Sequence, residues 1–418
     1  MLRNLAAENF PPFGSFELEL RPVENKPEDL AEVHLFTGVN GTGKTRILAT
    51  LAALLGNPEP LKKRLKGSES PVSVFVSNTL PAPTPFTDWP DRLDAKPNEV
   101  RKVADSGLLR ALEKTPAFAY SGLAYITDAP ITVMAEVPRP DRNSCLAFVR
   151  PENQSNGLIQ AIANLRVQAA MDLMNEPGDK AGPTRATRIV RALETAIAEV
   201  TRQKFSFQVT SYPKASLEVN WGTERLPFDL LPDGLRSIIG WMAHAVVMMD
   251  VWLQGKSNLA ETEAIFLLDE IESHLHPAWQ RRILPAFQRL FPKAQIFVAT
   301  HSPFVIASLN HGWIHPLSIG ENGKVKFEEV IPASEGDSYV SVVEDIMGLK
   351  EWYDPETEQL LSDFRVKRDA AYRGDLAARG SARELAATIG SRSMELEYMM
   401  GRELSQMDRQ LAKAAAAK

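Results

Sequence analysis

The stretch Gly38-Val39-Asn40-Gly41-Thr42-Gly43-Lys44-Thr45 decides the fold. It follows an apolar run that ends at Phe36, and it precedes apolar residues at helical spacing that begin at Ile47. A strand, a glycine-rich turn and a helix in this order form a phosphate-binding loop, because the glycines let successive backbone N–H groups point at one phosphate chain. The pattern G-x-x-x-x-G-K-[ST] therefore predicts a nucleotide site of the P-loop type.

The loop offers a candidate for each contact that a magnesium–ATP complex requires. We expect Lys44 to reach the terminal phosphates and the Thr45 hydroxyl to bind Mg²⁺, while the loop amides hold the remaining phosphate oxygens. The predicted cofactors are thus ATP and Mg²⁺. The residues predicted to bind them here are Asn40, Gly41, Thr42, Gly43, Lys44 and Thr45.

A second stretch, Leu267-Leu268-Asp269-Glu270, completes the predicted chemistry. A buried apolar strand that ends in two acids is a Walker B pattern, so we expect Asp269 to bind Mg²⁺ and Glu270 to polarise the attacking water. His301 follows the next predicted strand, and its ring is expected to reach the γ-phosphate. Glu270 and His301 are therefore the predicted catalytic residues, and Thr45 and Asp269 the predicted metal ligands.

Composition restricts the class of protein. The chain has 418 residues, of which 44% are hydrophobic and 24% charged, as in globular proteins. The net charge of −6 excludes a uniformly basic nucleic-acid-binding surface, so DNA or RNA contact would need a local basic patch or a partner. The single Cys145 fits a reducing cytoplasm. The apolar window 238–253 is too short to span a bilayer, and we expect no membrane association.

The order of patterns predicts an α/β fold: a P-loop ATPase head with a mostly parallel core sheet, an antiparallel β subregion, a short helical hairpin and a helical C-terminal region. We expect the head at 1–310, interrupted by an insertion at about 60–225 that includes the hairpin at 157–203. Two further strands are predicted within the insertion, at 131–137 and 146–149. Residues 311–418 are expected to be mostly helical. The apolar stripe in 382–413 is typical of a docking or oligomerisation helix, and equally of helices that pack within their own domain.

Two smaller features allow alternatives. His274 and His276 lie on a predicted loop, where a nucleotide-proximal or interface loop is favoured over a metal site because no third ligand follows at helical spacing. The basic cluster at 62–66 indicates a solvated helix end more than a phosphate site.

These motifs, together with Ala299-Thr300-His301-Ser302-Pro303, resemble those of the ABC-type ATPases of the SMC/RecF/OLD group. Within that group the chain resembles the compact bacterial anti-phage defence ATPases, the PtuA type of Septu systems and their retron-associated relatives. The resemblance implies an ABC-type head, and a homodimer or higher homo-oligomer in which two heads sandwich ATP. Each site would then be completed in trans by the partner's signature segment.

Residues 231–237 match that signature segment, and the resemblance assigns nucleotide contacts to Asp233, Gly234 and Ser237. Pro232 replaces the family's usual serine and offers neither a hydroxyl nor an N–H, which implies slow or partner-dependent turnover. Pro11-Pro12 stands where many relatives carry a nucleotide-contacting arginine, and Gln154 is the candidate for the Q-loop glutamine.

The resemblance implies a cytoplasmic sensor or regulatory subunit of a defence complex. No Asp-x-Asp cluster of the Toprim nuclease type occurs in 311–418, so a separate nuclease or other toxic effector is the expected partner. The alternative is an SMC/RecF-like DNA repair or chromosome-maintenance ATPase that binds DNA directly.

Overall fold

A computed structural model describes residues 1–66, 71–78, 91–96, 99–104, 107–122, 131–132, 134–137, 141–148, 155–175, 183–211, 215–256, 258–333, 336, 338–349 and 351–416. The chain forms two compact units, Met1–Met347 and Gly348–Lys418. Gln154, the Q-loop candidate, lies outside the described residues.

Among the described residues, the strands all belong to the first unit. They are β1 (Asn4–Phe10), β2 (Gly14–Glu19), β3 (Glu32–Gly38), β4 (Val72–Ser77), β5 (Asp91–Lys96), β6 (Glu99–Ala104), β7 (Ala117–Ser121), β8 (Phe205–Thr210), β9 (Ser216–Trp221), β10 (Glu224–Pro227), β11 (Ile265–Asp269), β12 (Gln295–Ala299), β13 (Trp313–Ile319), β14 (Val325–Phe327) and β15 (Ile331–Pro332).

The helices of the first unit include two π-helical segments, at Ile239–Ala243 and Val342–Ile346, and a 3₁₀ turn at Phe228–Leu230. The α-helices are α1 (Lys44–Leu55), α2 (Glu59–Arg64), α3 (Leu108–Lys114), α4 (Arg142–Cys145), α5 (Ser155–Asn175), α6 (Arg185–Thr201), α7 (Asp233–Ile238), α8 (His244–Trp252), α9 (Pro277–Leu290), α10 (Pro303–Ile306) and α11 (Tyr339–Ser341). The second unit consists of α12 (Pro355–Tyr372), α13 (Leu376–Gly390) and α14 (Met394–Ala416).

The core sheet has the strand order β14-β13-β3-β12-β11-β7, with β15 paired to β13. The strands β13, β3, β12, β11 and β7 run parallel to their neighbours, whereas β14 and β15 are antiparallel to β13. Both β11 and β12 are buried along their whole length, as expected of strands covered on both faces. The predicted mostly parallel core sheet is confirmed.

Two further sheets are antiparallel, with the strand orders β2-β1-β4-β5-β6 and β10-β9-β8. The helices α5 and α6 form the predicted hairpin, and the Thr184 side chain caps α6 by accepting a hydrogen bond from the backbone N–H of Thr187. The apolar window 238–253 is a buried helical run from α7 through α8. The fold class predicted from the sequence is therefore confirmed.

The predicted strands at 131–137 and 146–149 are wrong for the residues that the structure describes there. The Gln160 amide accepts from the Thr132 N–H at 2.8 Å and donates to the Thr132 carbonyl at 2.6 Å, so a side chain occupies the place of a strand partner. The guanidinium of Arg142 donates to the carbonyls of Leu55, Leu112 and Thr115. These bonds hold the segment as a short helix and turns.

The boundary between the units follows Met347 and not residue 310. The reason is that β13 pairs in parallel with β3, the strand that leads into the P-loop. Strand pairing across about 280 residues of sequence is non-local and leaves no boundary signal at residue 310.

The second unit has a core of its own. It includes Leu361, Phe364, Ile389, Met400 and Met407. The apolar stripe in 382–413 thus packs within this unit, divided between α13 and α14, so the sequence alternative of helices that pack on their own domain is the correct one. In the part of the chain that is described, every helix lacks the length or the apolar character to cross a membrane.

Candidate functional site at the carboxyl edge of the core sheet

The P-loop joins the end of β3 to α1, and its glycines are required by geometry. Gly41 and Gly43 have φ angles of 88° and 86°, in the left-handed region that favours glycine. A Cβ atom on Gly43 would lie 2.9 Å from the Phe13 ring, and one on Gly38 would lie 2.3 Å from the Leu317 carbonyl oxygen. The loop is therefore seated between the β1–β2 turn and β13, with no room for larger residues.

Lys44 folds back over this loop. Its Nζ atom donates to the carbonyls of Gly38 at 2.7 Å and of Val39 at 3.1 Å. Burial lowers the pKa of Lys44 to about 8, although the acids Asp269, Glu270 and Glu272 oppose that shift. A bound phosphate would stabilise the charged form of this amine, so the loop fits a polyphosphate.

Thr45 and Asp269 lie side by side. The Thr45 hydroxyl donates to Asp269 Oδ1 at 2.9 Å, and burial raises the pKa of Asp269 to about 6. A hydroxyl and a carboxylate are the hard oxygen donors that Mg²⁺ uses when phosphates and water supply its other ligands. Among the described residues, no group of three or more His, Cys, Asp or Glu could hold a metal alone, so this pair fits a metal that arrives with a nucleotide.

Glu270 and His301 come together at the same edge. Glu270 has a left-handed φ of 53°, and its backbone N–H donates to the Ala299 carbonyl, which turns the chain sharply after β11. The Glu270 side chain is 53% exposed, and its Oε1 lies 4.0 Å from His301 Nε2. Burial, with the charge of Lys44, lowers the pKa of His301, so its ring is neutral at pH 7. The side chains of the two predicted catalytic residues thus lie close together, and both are accessible to solvent.

Glu272 belongs to this site although the sequence reasoning assigned it no role. Its Oε1 accepts from the Thr300 hydroxyl and from the backbone N–H of His301, the latter at 3.0 Å. Its Oε2 is buried without a partner among the described residues, and burial raises its pKa. Glu272 therefore ties the turn after β11 to the turn that carries His301. The only sequence signal for it is a second acid two positions after Glu270.

The signature segment has exposed residues at the start of α7 and continues into the core. Asp233 is exposed and pairs with Arg236, whereas Gly234 and Ser237 are buried. A Cβ atom on Gly234 would lie 3.0 Å from the His274 carbonyl oxygen and 3.2 Å from the Trp279 ring. The nucleotide contacts predicted for Asp233, Gly234 and Ser237 stay predictions, because they would be made to the nucleotide of a partner head.

The remaining sequence candidates have local roles. His276 Nδ1 accepts from the Ala278 N–H at 3.2 Å and so caps α9, which accounts for this histidine without a metal. Lys62 pairs with Glu59 on α2. The Pro11 carbonyl accepts a hydrogen bond from the Arg46 guanidinium.

The comparisons with known proteins agree with the motifs. Residues 138–307 match a family described as an AAA domain, putative AbiEii toxin, type IV TA system. The chain is 28% identical to Septu protein PtuA of Bacillus thuringiensis over 148 residues, which is 34% of this chain and 37% of that protein. It is 30% identical to the retron Ec83 probable ATPase of Escherichia coli over 118 residues, which is 25% of this chain and 22% of that protein.

Solved structures similar to this chain include two SMC head domains. The SMC head bound to the C-winged helix domain of ScpA has a TM-score of 0.43 at 14% identity, covering 79% of this chain and 98% of that one. The SMC head domain from Thermotoga maritima has a TM-score of 0.39 at 13% identity, covering 80% and 99%. The chain matches less than two fifths of the length of the curated relatives named above. The predicted resemblance to the ATPases of Septu and retron systems is confirmed at modest identity.

Proposed function

We propose that this protein binds and hydrolyses Mg-ATP as the sensor or regulatory subunit of a bacterial anti-phage defence complex, and that it controls a separate nuclease or toxic effector through an ATP-sandwiched head dimer. The observation that carries the ATPase part is the placement of Lys44, Thr45, Asp269, Glu270 and His301 at one edge of the parallel sheet. The defence part is supported by the Septu and retron names of the relatives.

Each side chain has a definite task in this proposal. Lys44 would exchange its two loop carbonyls for phosphate oxygens, and Thr45 and Asp269 would hold Mg²⁺, which would supply positive charge to neutralise the phosphates. Glu270, exposed and next to His301, orients the attacking water by accepting its hydrogen bond. The neutral His301 ring donates a hydrogen bond to the γ-phosphate.

The head dimer is proposed with a weak trans contact. Gly234 and Ser237 are buried, so a partner's nucleotide would meet Pro232 and Asp233 at the exposed start of α7. Pro232 offers no donor, and the Asp233 carboxylate repels phosphate. Turnover is therefore proposed to be slow until a partner subunit or a second conformation improves this contact.

The test is the mass in solution of purified Glu270→Gln protein, with and without Mg-ATP, alone and co-expressed with the product of its neighbouring gene. We expect an ATP-dependent doubling of the protein alone and a stable larger complex with the co-expressed partner. Lys44→Ala serves as the control, since it should remain unchanged on addition of ATP. A protein that stays monomeric with bound ATP would contradict the head-dimer proposal, and self-association alone would contradict the effector proposal.

The alternative, a DNA repair or chromosome-maintenance ATPase, is favoured by exposed basic residues such as Lys63 and Lys66 at the end of α2 and just beyond it. In that case DNA affinity should fall steeply with rising salt. If the protein does not bind DNA at low salt, this alternative is wrong.

A further inference from the structure

Gln280, near the start of α9, belongs to none of the sequence motifs, yet its half-buried side chain contacts both turns that carry the candidate catalytic residues. One turn follows β11 and begins with Glu270, and the other follows β12 and carries His301. We call residues 270–276 the β11 turn and residues 300–302 the β12 turn.

The side-chain amide of Gln280 uses both of its polar ends. Its Nε2 atom donates to the backbone carbonyls of Leu275 at 2.9 Å and of Glu272 at 3.3 Å. Its Oε1 atom accepts from the Ser302 hydroxyl at 2.6 Å. Carbonyl oxygens can only accept hydrogen bonds, so the amide nitrogen must face them and the amide oxygen is left for the hydroxyl. One side chain thus joins the β11 turn to the β12 turn.

The link through Ser302 complements the one made by Glu272. Glu272 Oε1 accepts from the Thr300 hydroxyl and from the His301 N–H, whereas Ser302 is the residue after His301. The Ser302 N–H also donates to the Thr300 hydroxyl oxygen at 2.9 Å, and the Ser302 side chain caps α10. The residues on both sides of His301 are therefore held to the β11 turn or to α9.

The position of the His301 ring depends on this backbone. Among the described residues the ring makes no hydrogen bond, because its Nε2 atom lies 4.0 Å from Glu270 Oε1. The His301 side chain is also 31% exposed, so packing encloses it only in part. A shift of the β12 turn would therefore carry the ring away from Glu270.

The helix that carries Gln280 is a firm support. Ile283, Leu284 and Phe287 of α9 are buried, and the Phe287 ring packs edge-on against Phe266 of β11 with 4.9 Å between the ring centres. A side chain on a packed helix keeps its position better than one on a loop. The β12 turn can thus move relative to β11 only if the bond between Gln280 and Ser302 breaks or α9 moves with it.

We propose that Gln280 is a positioning residue for ATP hydrolysis, which holds the β12 turn against the β11 turn so that His301 stays beside Glu270. This inference rests on the proposed function. In the described part of the chain, the hydrogen bonds of the Gln280 side chain go to the two turns and not to the P-loop. Its loss should therefore slow the chemical step and leave nucleotide binding unchanged.

The test compares turnover, KM and the dissociation constant of Mg-ATP for the wild type and for Gln280→Met, which keeps the length of the side chain and removes both polar ends. We expect turnover at saturating Mg-ATP to fall about 10-fold or more, because a displacement of about 1 Å can cost about 100-fold in rate. KM and the dissociation constant should stay within about twofold.

Gln288→Met is the matched control on the same helix. Gln288 is buried, and its amide donates to the carbonyls of Ala31 at 3.1 Å and His311 at 3.3 Å. These carbonyls precede β3 and β13, at the edge of the core sheet opposite to the P-loop. Gln288→Met should therefore lower the stability of the protein and leave turnover unchanged.

A double-mutant cycle identifies the partner through which Gln280 acts. Ser302→Ala should also slow turnover about 10-fold. The double variant should be at most about twofold slower than the slower single variant, because both substitutions remove the same link. Independent effects would multiply to about 100-fold and would overturn the inference.

The outcomes separate this inference from the proposed function. Wild-type turnover in Gln280→Met, when the wild type hydrolyses ATP, would overturn the role of Gln280 alone. An equal fall of turnover in Gln288→Met, or a parallel loss of Mg-ATP affinity in Gln280→Met, would show a structural role and overturn it as well. A wild-type protein that does not hydrolyse ATP would overturn the proposed function and this inference with it. Denaturant unfolding checks each variant, and Ser302→Ala decides the result if Gln280→Met does not fold.

Discussion

The P-loop edge and the signature segment differ in how their residues are used. At the P-loop edge, Lys44 and Asp269 are charged groups held partly out of water, with pKa values displaced by burial. In the signature segment, Gly234 and Ser237 are buried within their own chain. The comparison teaches that the P-loop edge is preorganised to receive a ligand, whereas the segment that would complete a partner's site in the proposed head dimer is not.

The largest effect is expected from Lys44→Ala, which removes a charged group of the P-loop edge. Removal of the buried amine should weaken Mg-ATP binding by about 100-fold or more, because a charged contact to the phosphates is lost and two loop carbonyls lose their donor. Calorimetry measures the loss, and Lys63→Ala, an exposed change on α2, should bind as the wild type does. Unchanged affinity in Lys44→Ala would mean that the P-loop edge is not the nucleotide site.

Glu270→Gln is expected to separate binding from chemistry. The amide keeps the shape of the side chain and loses the charge that orients water, so Mg-ATP affinity should stay within about threefold while turnover falls about 100- to 1,000-fold. Phosphate release measures the rate, and calorimetry measures the affinity. Parallel loss of both would show that Glu270 acts as a ligand of the metal or the phosphates.

Gly234→Val tests whether the signature segment is packed away. A branched side chain at this position meets the His274 carbonyl and the Trp279 ring, so the free energy of unfolding should fall by about 1–3 kcal/mol. The control is Asp233→Val at the exposed neighbour, which should change stability by about 0.5 kcal/mol or less. Denaturant unfolding measures both. Equal stability of the two variants would mean that Gly234 faces an open space.

The sequence was sufficient where the determinants are local. The glycine turn before Lys44 and the apolar strand before Asp269 were predicted from spacing alone, because backbone conformation and strand burial depend on adjacent residues. Contacts between distant segments were not predictable in this way. Glu272 binds Thr300 across 28 positions, and Gln280 binds Ser302 across 22.

The same reason explains the errors in the fold. The strand-like run 131–137 predicts a strand, but the Gln160 amide binds both backbone groups of Thr132. The pairing of β13 with β3 moved the end of the first unit to Met347. In each case the hydrogen-bonding groups of the backbone pair with a residue that is distant in sequence, and the pattern of neighbouring residues does not reveal that partner.

The smallest expected effect comes from Pro232→Ser, which gives the signature segment a donor. Pro232 occupies the N-cap position of α7 and is exposed, so a serine hydroxyl there could reach a partner's phosphate without disturbing the core. We expect turnover to rise about two- to fivefold, as for one added neutral hydrogen bond, and to rise more steeply with protein concentration. Pro232→Ala restores the N–H without a hydroxyl. The difference in turnover between the two variants therefore gives the contribution of the hydroxyl. Rates that stay at the wild-type level in both variants, at concentrations where Glu270→Gln dimerises, would mean that this segment does not meet the partner's nucleotide.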